Sequence, residues 1–426
     1  MFALLVFVLL CSFYTSWNIG ANDVANAVGP SVGSGVLTLR QAVLVAAVFE
    51  FLGALLLGNR VAGTIESSIV SVSDPIIAST DYILGMTAAL LATGVWLQLA
   101  SFFGWPVSTT HSIVGAVVGF GLVLGNGTVI YWESVGVIAI SWILSPLVGG
   151  VIAYMVFSFI RKNILYKNDP VAAMIRVAPF LAGLVIVILG VIVTLGGVVT
   201  SFIPLLWALV IVAACGLMAY GCMFAYVHTQ YCVSISDMPK PGTLLYRLKA
   251  CGGNYGRKYL IVERIFAYLQ IIIACFMAFA HGSNDVANAI APVAGVLRQA
   301  YPSVYSSQTL IGLMAFGGVG LIFGLAIWGW RVIETVGCKI TELTPSRGFS
   351  VGLGAAITIA VASAIGLPIS TTHVVVGAVL GIGLARGIQA INLNIIKDIV
   401  MSWFITLPAG AILSILFFFA LRALFH

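Results

Sequence analysis

Charge is what this chain has least of. Only 8% of its 426 residues are Asp, Glu, Lys or Arg, whereas 61% are hydrophobic and the mean hydropathy is +1.14. This balance excludes a soluble globular domain, in which about 25% of residues are charged. The seven cysteines form no CxxC pair, so the sequence shows no redox motif or zinc-ligand spacing. Apolar and polar residues do not alternate strictly, which argues against a membrane β-barrel.

Long apolar runs fill the sequence in place of charge. Runs long enough to cross about 30 Å of hydrocarbon recur from end to end. They predict an all-α membrane protein with many spans, because a helix satisfies its own backbone hydrogen bonds in lipid. Residues 1–17 lack the basic start of a secretory signal, so we expect them to form the first span.

The basic residues are unevenly placed. More than half of the nineteen lie between residues 161 and 264, in two polar stretches separated by two apolar runs. The positive-inside rule places both stretches, including the loop 227–264, in the cytoplasm. The loop is short and is interrupted by Pro and Gly, and topology already explains its charge. No nucleic-acid partner is therefore predicted.

An internal repeat organises the rest of the chain. GANDVANA at 20–27 returns as GSNDVANA at 282–289, and GWPVSTTH at 104–111 returns as GLPISTTH at 366–373, with one constant offset. We therefore predict an N-terminal repeat, residues 1–160, and a C-terminal repeat, residues 265–426. Residues 161–264 supply two linking spans and the basic loop. Five crossings in each half would place both termini outside the cytoplasm and would invert the halves, as in many secondary transporters.

The two kinds of motif offer opposite chemistry. Gly and Pro around both motifs predict broken or re-entrant helices at the membrane midplane. Pro106 and Pro368 are expected in the first turn of a helix. N–H groups at a helix start bind oxyanions, and nearby hydroxyls add donors. The candidate anion ligands are the two Ser-Thr-Thr triplets: Ser108, Thr109, Thr110, Ser370, Thr371 and Thr372.

The Asn-Asp motifs favour a cation. A carboxylate inside a membrane costs about 2.5–3.5 kcal/mol, so two repeated aspartates indicate function. Carboxylate, amide and hydroxyl oxygens are hard ligands for a small cation. The candidate coupling residues are Asn22, Asp23, Asn26, Asn284, Asp285 and Asn288. Sodium itself is expected at Asp23, Asn26, Asp285 and Asn288. The two motifs together predict coupled transport of an oxyanion with a cation.

Two further residues break the symmetry of the repeat. Glu50 lies in an apolar run and has no acidic counterpart in the second half, so it is either functional or a bystander. His281 precedes the second Asn-Asp motif where Ile19 precedes the first. Symmetry alone therefore gives His281 no role.

Structural roles are favoured for the remaining polar residues of the apolar runs. His111 and His373 could relay protons, but a structural hydrogen bond is favoured for both. Arg60 and Arg331 stand at equivalent span ends and are interpreted as topological anchors.

These motifs resemble those of the inorganic phosphate transporter family, whose two halves each carry GxNDVANA. The likeness extends over nearly the whole chain and includes both Asn-Asp motifs, both PxSTTH motifs and the basic central loop. It implies about twelve spans and uptake of phosphate driven by sodium or protons. It also implies that Asp23 and Asp285 are the coupling carboxylates and that the Ser-Thr-Thr triplets bind phosphate. The short central loop resembles a prokaryotic form.

The sequence thus predicts a sodium-coupled phosphate symporter in the cell membrane. Its expected partners are inorganic phosphate, sodium ions, membrane lipid and a second copy in a homodimer, with no cofactor. A proton-coupled phosphate permease or a sulfate permease of the same family is the alternative. An intramembrane enzyme is disfavoured because HExxH and GxSxG are lacking. A passive channel would have little use for repeated carboxylates beside anion donors.

Overall fold

A computed structural model gives the fold of residues 2–70, 79–125, 127–197, 199–233, 257–329, 332–333, 343–387 and 393–425. Most of the basic loop, residues 234–256, and the predicted anchor Arg331 lie outside these described residues. The described part of the chain forms twelve α-helices, and an isolated β-bridge joins Val70 to Ile130.

The helices follow the order expected from the repeat. The first five are α1 (Phe2–Gly33), α2 (Leu39–Ser68), α3 (Ser79–Phe103), α4 (Thr109–Gly125) and α5 (Trp132–Ile160). The linking pair is α6 (Pro170–Leu195) and α7 (Leu205–Val233). The last five are α8 (Arg257–Ala300), α9 (Ser307–Trp328), α10 (Pro345–Ala364), α11 (Thr371–Arg386) and α12 (Leu393–Phe425).

Ten of the twelve described helices are long and apolar enough to cross a membrane. This confirms an all-α protein with many spans. The other two, α4 and α11, have 17 and 16 residues and begin inside the two Ser-Thr-Thr triplets. The Ser-Thr-Thr motifs therefore mark interruptions of the helical path, as the sequence indicates.

Helices α3 and α4 form an antiparallel hairpin. Gly85 of α3 packs against Phe120 of α4, and Gly121 of α4 lies beside Ile130 and Val70, near the start of α3. Helix α4 thus returns to the end of the molecule from which α3 entered. Helices α10 and α11 repeat this plan. Each hairpin tip turns at a glycine with positive φ, which is 68° at Gly104 and 75° at Gly366, because other residues adopt this conformation at a cost.

The two hairpins enter the molecule from opposite ends. Helix α5 starts next to the open end of the first hairpin and runs parallel to α11, with Gly150 against Gly381. At its far end, Arg161 donates a hydrogen bond to the carbonyl oxygen of Ala385, at the end of α11. Two halves that run in opposite directions through a membrane would produce hairpins opposed in this way. The boundaries of the repeats, 1–160 and 265–426, stay a prediction.

The expectation that helices break at the Asn-Asp motifs is wrong. Helices α1 and α8 run uninterrupted through the motifs, and each keeps a proline inside. The small residues serve close packing instead. A Cβ on Gly20 would clash with the carbonyl oxygen of Leu321, and a Cβ on Gly282 with that of Glu50. The prolines of the PxSTTH motifs are also displaced from their expected position, because α4 and α11 begin three residues beyond them.

The apolar core is divided by a polar layer. One cluster of buried side chains contains Ile19 and Val286, and the other contains Val24 and Ala280. Helices α1 and α8 therefore pass from one cluster to the other at their Asn-Asp motifs. This places the polar residues of both motifs between the two apolar cores.

Helix α9 offers a test of this close packing. A Cβ on Gly324 would clash with the carbonyl oxygen of Trp17 in α1, whereas no described atom lies within 4 Å of a Cβ on Gly312. We expect Gly324→Ala to lower the free energy of unfolding by roughly 1–3 kcal/mol, because the two backbones must separate. Gly312→Ala should be neutral or stabilising. Thermal unfolding in detergent compares them, and equal midpoints for the two variants would contradict this packing.

Candidate functional site

The two Asn-Asp motifs and the two hairpin tips meet in the polar layer. All twelve residues predicted as anion or cation ligands are no more than 1% exposed. They come from α1, α4, α8, α11 and the residues just before α4 and α11. The structure therefore gathers four segments of the chain that are distant in sequence.

The two hairpin tips bind each other directly. The Thr110 hydroxyl donates to the carbonyl oxygen of Ile369 at 2.8 Å, and the Thr372 hydroxyl donates to that of Val107 at 3.1 Å. These reciprocal bonds hold the starts of α4 and α11 near each other. The first N–H groups of a helix lack partners within the helix, so two sets of donors are available here.

The serines of the triplets cap these two helices. The Ser108 hydroxyl accepts a hydrogen bond from the His111 N–H at 3.1 Å, and the Ser370 hydroxyl accepts from the His373 N–H at 3.2 Å. This is the usual behaviour of an N-cap residue. A hydroxyl that accepts can still donate its own proton, so capping is compatible with the predicted binding of an anion.

The first asparagine of each Asn-Asp motif fixes its helix to the hairpin of its own half. The Asn22 side-chain amide donates to the carbonyl oxygen of Trp105 at 3.0 Å. Asn284 donates to the equivalent carbonyl, that of Leu367, at 3.3 Å. The Asn22 side-chain oxygen also accepts from the Val107 N–H at 3.3 Å. The amide contacts give both asparagines a positioning role, but the two differ at their oxygens, because no donor in the described residues reaches the Asn284 side-chain oxygen.

The second asparagine of each motif reaches across to the other half. The Asn26 amide donates to the Thr372 hydroxyl at 2.8 Å. The Asn288 amide donates to the hydroxyls of Thr109 at 3.0 Å and Thr110 at 3.3 Å. Each half therefore supplies part of the environment of the other half's Ser-Thr-Thr triplet.

The two aspartates lie close together. The Asp23 carboxylate lies 3.2 Å from the Thr372 hydroxyl and shares its single proton with the Val107 carbonyl oxygen. The Asp285 carboxylate accepts from the Thr371 hydroxyl at 2.9 Å. One oxygen of each carboxylate and a ring nitrogen of His281 all lie within 4.8 Å of one another. Two buried carboxylates at this separation repel strongly unless positive charge lies between or beside them.

The free polar atoms at this place are acceptors. Within the described residues, no donor reaches one oxygen of each carboxylate or the side-chain oxygens of Asn26, Asn284 and Asn288. A buried acceptor without a donor costs about 1–3 kcal/mol. These five oxygens include the hard ligand types that small cations prefer. The residues thus fit a cation, and the helix starts beside them fit an anion.

A buried chain of three ionisable groups links this site to α2. One ring nitrogen of His281 contacts a Glu50 carboxylate oxygen at 2.9 Å, and the other contacts an Asp285 carboxylate oxygen at 3.0 Å. All three side chains are buried, so Glu50 is paired with His281 and does not extend towards the membrane surface. The sequence analysis did not predict this contact, because it considered Glu50 and His281 as two separate departures from the symmetry of the repeat.

The first half has no equivalent of this chain. Gly20 packs on Leu321 in the way that Gly282 packs on Glu50, so Ile19 and Leu321 take the places of His281 and Glu50. Ile19 and Leu321 are both fully buried. The two aspartates are therefore surrounded differently, although their motifs are nearly identical.

The two histidines that follow the triplets pack against each other. Their rings meet edge to face with centroids 4.4 Å apart, and His373 stacks on Trp403 at 3.6 Å. One His373 ring nitrogen lies 3.3 Å from the carbonyl oxygen of Trp142, whose ring contacts His111. The contact with Trp142 fits the structural hydrogen bond favoured for His373. For His111 the described residues supply ring contacts and no hydrogen bond to a ring nitrogen, so the preference stays a prediction there.

Arg60 supports a hairpin tip, and its interpretation as a topological anchor stays a prediction. Its guanidinium donates to the carbonyl oxygen of Ala364 at 2.8 Å, at the end of α10. One turn further along α2, the Thr64 hydroxyl donates to the carbonyl oxygen of Gly366 at 2.6 Å. A cation at a helix C-terminus is favourable, because the carbonyl groups there carry partial negative charge.

Ten helices that could span a membrane, two opposed hairpins and a buried polar layer between apolar cores are typical of a membrane transporter. The chain matches the model of the phosphate transporter family over residues 19–414. The protein belongs to the phosphate transporter family and is not an enzyme.

Individual relatives agree with this assignment. A candidate phosphate permease of Chlamydia pneumoniae is 79% identical over the full length of both chains. The chloroplast inorganic phosphate transporter 2-1 of Arabidopsis thaliana is 42% identical, over 96% of this chain and 70% of its own length. A solved structure of a sodium-dependent phosphate transporter is similar with a TM-score of 0.84 and 36% identity, over 99% of each chain.

The Glu50–His281 contact can be tested by a double-mutant cycle. Glu50→Leu and His281→Ile singly should each lower the free energy of unfolding by about 3–5 kcal/mol, because each leaves a buried polar partner uncompensated. The double variant introduces the residue types of Leu321 and Ile19, which hold the equivalent places around the other Asn-Asp motif, so its loss should be smaller than the sum. Chemical unfolding in detergent measures all three.

A matched cycle controls for general damage. Glu66 lies further along α2 and accepts from Tyr305. Glu66→Gln combined with His281→Ile should therefore give additive losses. Additive losses in the Glu50 cycle as well would show that the contact contributes no coupling energy.

Proposed function

We propose that this protein is a sodium-coupled symporter of inorganic phosphate in the cell membrane. The observation that carries the proposal is the set of five buried oxygens without donors in the two Asn-Asp motifs, which lies next to the starts of two helices. The first feature suits a cation and the second suits an oxyanion. Asp23, Asn26, Asp285 and Asn288 are the proposed sodium ligands, and Asn22 and Asn284 position them.

The phosphate is proposed to bind at the starts of α4 and α11. There the N–H groups and the hydroxyls of Ser108, Thr109, Thr110, Ser370, Thr371 and Thr372 would donate to its oxygens. For Thr110, Thr371 and Thr372 this requires the hydroxyl protons to turn away from Ile369, Asp285 and Val107, which accept them in this structure. Hydrogen bonds to charged groups contribute about 1.5–3 kcal/mol each. Because the hairpins enter from opposite ends, one phosphate between their tips would contact both halves at once.

Coupling follows from charge. Two carboxylates beside the phosphate site repel an anion, so phosphate binding is weak while they are uncompensated. Sodium at Asp23 and Asp285 reverses this local field and stabilises the bound phosphate. By thermodynamic reciprocity, phosphate must then strengthen sodium binding by the same factor. Sodium and phosphate binding are therefore coupled directly by charge, and no conformational change has to be transmitted over a long distance.

Other features fit the proposal. The similar solved structure is that of a sodium-dependent transporter, and its 36% identity extends over 99% of this chain. Sodium and phosphate are cargo in this scheme, and no resident cofactor is required. A homodimer is part of the proposal, as are extracytoplasmic termini and a cytoplasmic loop at 227–264.

Proton coupling is the second candidate. The observation that favours it is His281, which joins Glu50 to Asp285 in a fully buried chain of three ionisable groups. A histidine between two carboxylates can exchange protons with either. Phosphate uptake driven by a pH gradient in sodium-free buffer would favour this candidate over sodium coupling.

Conservative removal of each carboxylate tests the sodium site. Asp23→Asn and Asp285→Asn keep the side-chain shape but remove the negative charge that attracts the cation. We expect each variant to lose at least about tenfold in sodium-driven phosphate accumulation by proteoliposomes, the equivalent of about 1.4 kcal/mol. Asp169→Asn, at an exposed pair with Lys258, is the control and should retain uptake. If either site variant keeps the wild-type dependence on sodium, that aspartate is not a sodium ligand.

Competition between oxyanions tests the identity of the substrate. Phosphate near neutral pH carries at least one proton, which it can donate to a carboxylate oxygen, whereas sulfate has no proton to donate. We expect excess sulfate to leave uptake of labelled phosphate nearly unchanged. Arsenate, which shares the shape and protons of phosphate, should suppress the uptake. Equal inhibition by sulfate and arsenate would favour a general oxyanion or sulfate permease.

A further inference from the structure

A groove runs along the outer face of the molecule between α5, α11 and α12. Its volume is about 480 Å³, and its walls include Leu147, Val151 and Tyr154 of α5, Leu384 of α11 and Val400 of α12. Small-molecule sites in proteins typically measure ~300–1,000 Å³. The groove therefore has the size of a binding site, and its walls include none of the twelve predicted ion ligands.

The groove is open and apolar. Leu147 is 61% exposed, Leu384 is 55% exposed and Tyr154 is 44% exposed. Glycines form part of its floor, because Gly150 and Gly381 bring the backbones of α5 and α11 into direct contact. A concave hydrocarbon-lined surface on a membrane-spanning helix pair fits a hydrocarbon chain.

Positive charge gathers beyond one end of the groove. On α5, Tyr154 is followed two turns later by Arg161 and Lys162, and on α11, Leu384 is followed by Arg386. On α12, which runs the opposite way, Lys397 precedes Val400 by one turn, and Lys162 and Lys397 are exposed. All three helices thus place a basic residue past the same end, with one neighbouring acidic residue, Asp398, in the sequence. Basic pockets between membrane helices suit anionic headgroups.

We propose that this groove binds an anionic phospholipid. One acyl chain lies along Leu147, Val151 and Leu384, and the headgroup phosphate meets Lys162 and Lys397. The bound lipid packs against α11, whose first residues belong to the proposed phosphate site. Occupancy of the groove by lipid should therefore affect how α5 and α11 pack against each other.

Native mass spectrometry of the full chain tests the proposal. The protein is reconstituted in nanodiscs of equal parts dioleoylphosphatidylglycerol and dioleoylphosphatidylcholine and is then released. We expect retention of one phosphatidylglycerol per chain. Val151→Trp fills the groove and should abolish this retention. Lys162→Gln with Lys397→Gln should weaken it roughly tenfold to thirtyfold, because each basic residue contributes to the attraction of an anionic headgroup.

Matched controls separate the groove from the general surface. Leu206→Trp changes a side chain on α7 that is 72% exposed, and it should leave retention unchanged. Lys167→Gln with Arg176→Gln removes two charges from exposed residues that do not line the groove. This double variant should also leave lipid retention unchanged. Equal retention of both lipids, or full retention by Val151→Trp, would overturn the proposal.

A second copy of the chain is the competing occupant. Val151→Cys in membranes distinguishes it, because a dimer interface at the groove would give an efficient disulfide between two chains. The lipid proposal predicts no such cross-link, together with one retained phosphatidylglycerol. A cross-link at Val151 would overturn the proposal and assign the face to self-association.

Discussion

The structure depends on one constraint: polar groups buried inside a membrane protein must satisfy one another. Helices α4 and α11 start in the interior, where their first N–H groups would otherwise be costly. The reciprocal bonds from Thr110 to Ile369 and from Thr372 to Val107 hold these starts together. The aspartates and asparagines of α1 and α8 complete the layer. Two apolar cores lie on either side of this layer, in which several acceptor oxygens have no donor from the described residues.

Sharing between the halves follows from that constraint. Asn26 binds the triplet of the second half, and Asn288 binds the triplet of the first, so neither half alone encloses a complete site. The contact of His281 with Glu50 and Asp285 then makes the two halves unequal. Duplication accounts for the paired ligands, whereas later divergence accounts for the different surroundings of the two aspartates.

Much of this could be read from the sequence. Composition predicts the all-α membrane fold, and the repeat correctly brings both motif pairs to one place. Two features resisted prediction for physical reasons. Glycine and proline are compatible with both a broken helix and a tightly packed one, so the continuity of α1 and α8 was not decidable from composition. The contacts of Glu50 with His281 and of Arg60 with Ala364 join residues more than two hundred positions apart, and no local pattern specifies them.

The central claim is that sodium and phosphate share one site built by both halves. The most direct measurement is a cryo-electron microscopy map of the protein in nanodiscs with saturating sodium and phosphate. The account predicts anion density between the starts of α4 and α11, in contact with Thr109 and Thr371. It also predicts cation density against the free oxygens of Asp23 and Asp285. Anion density confined to another cavity, with Asp23 and Asp285 contacting no ion, would contradict the account.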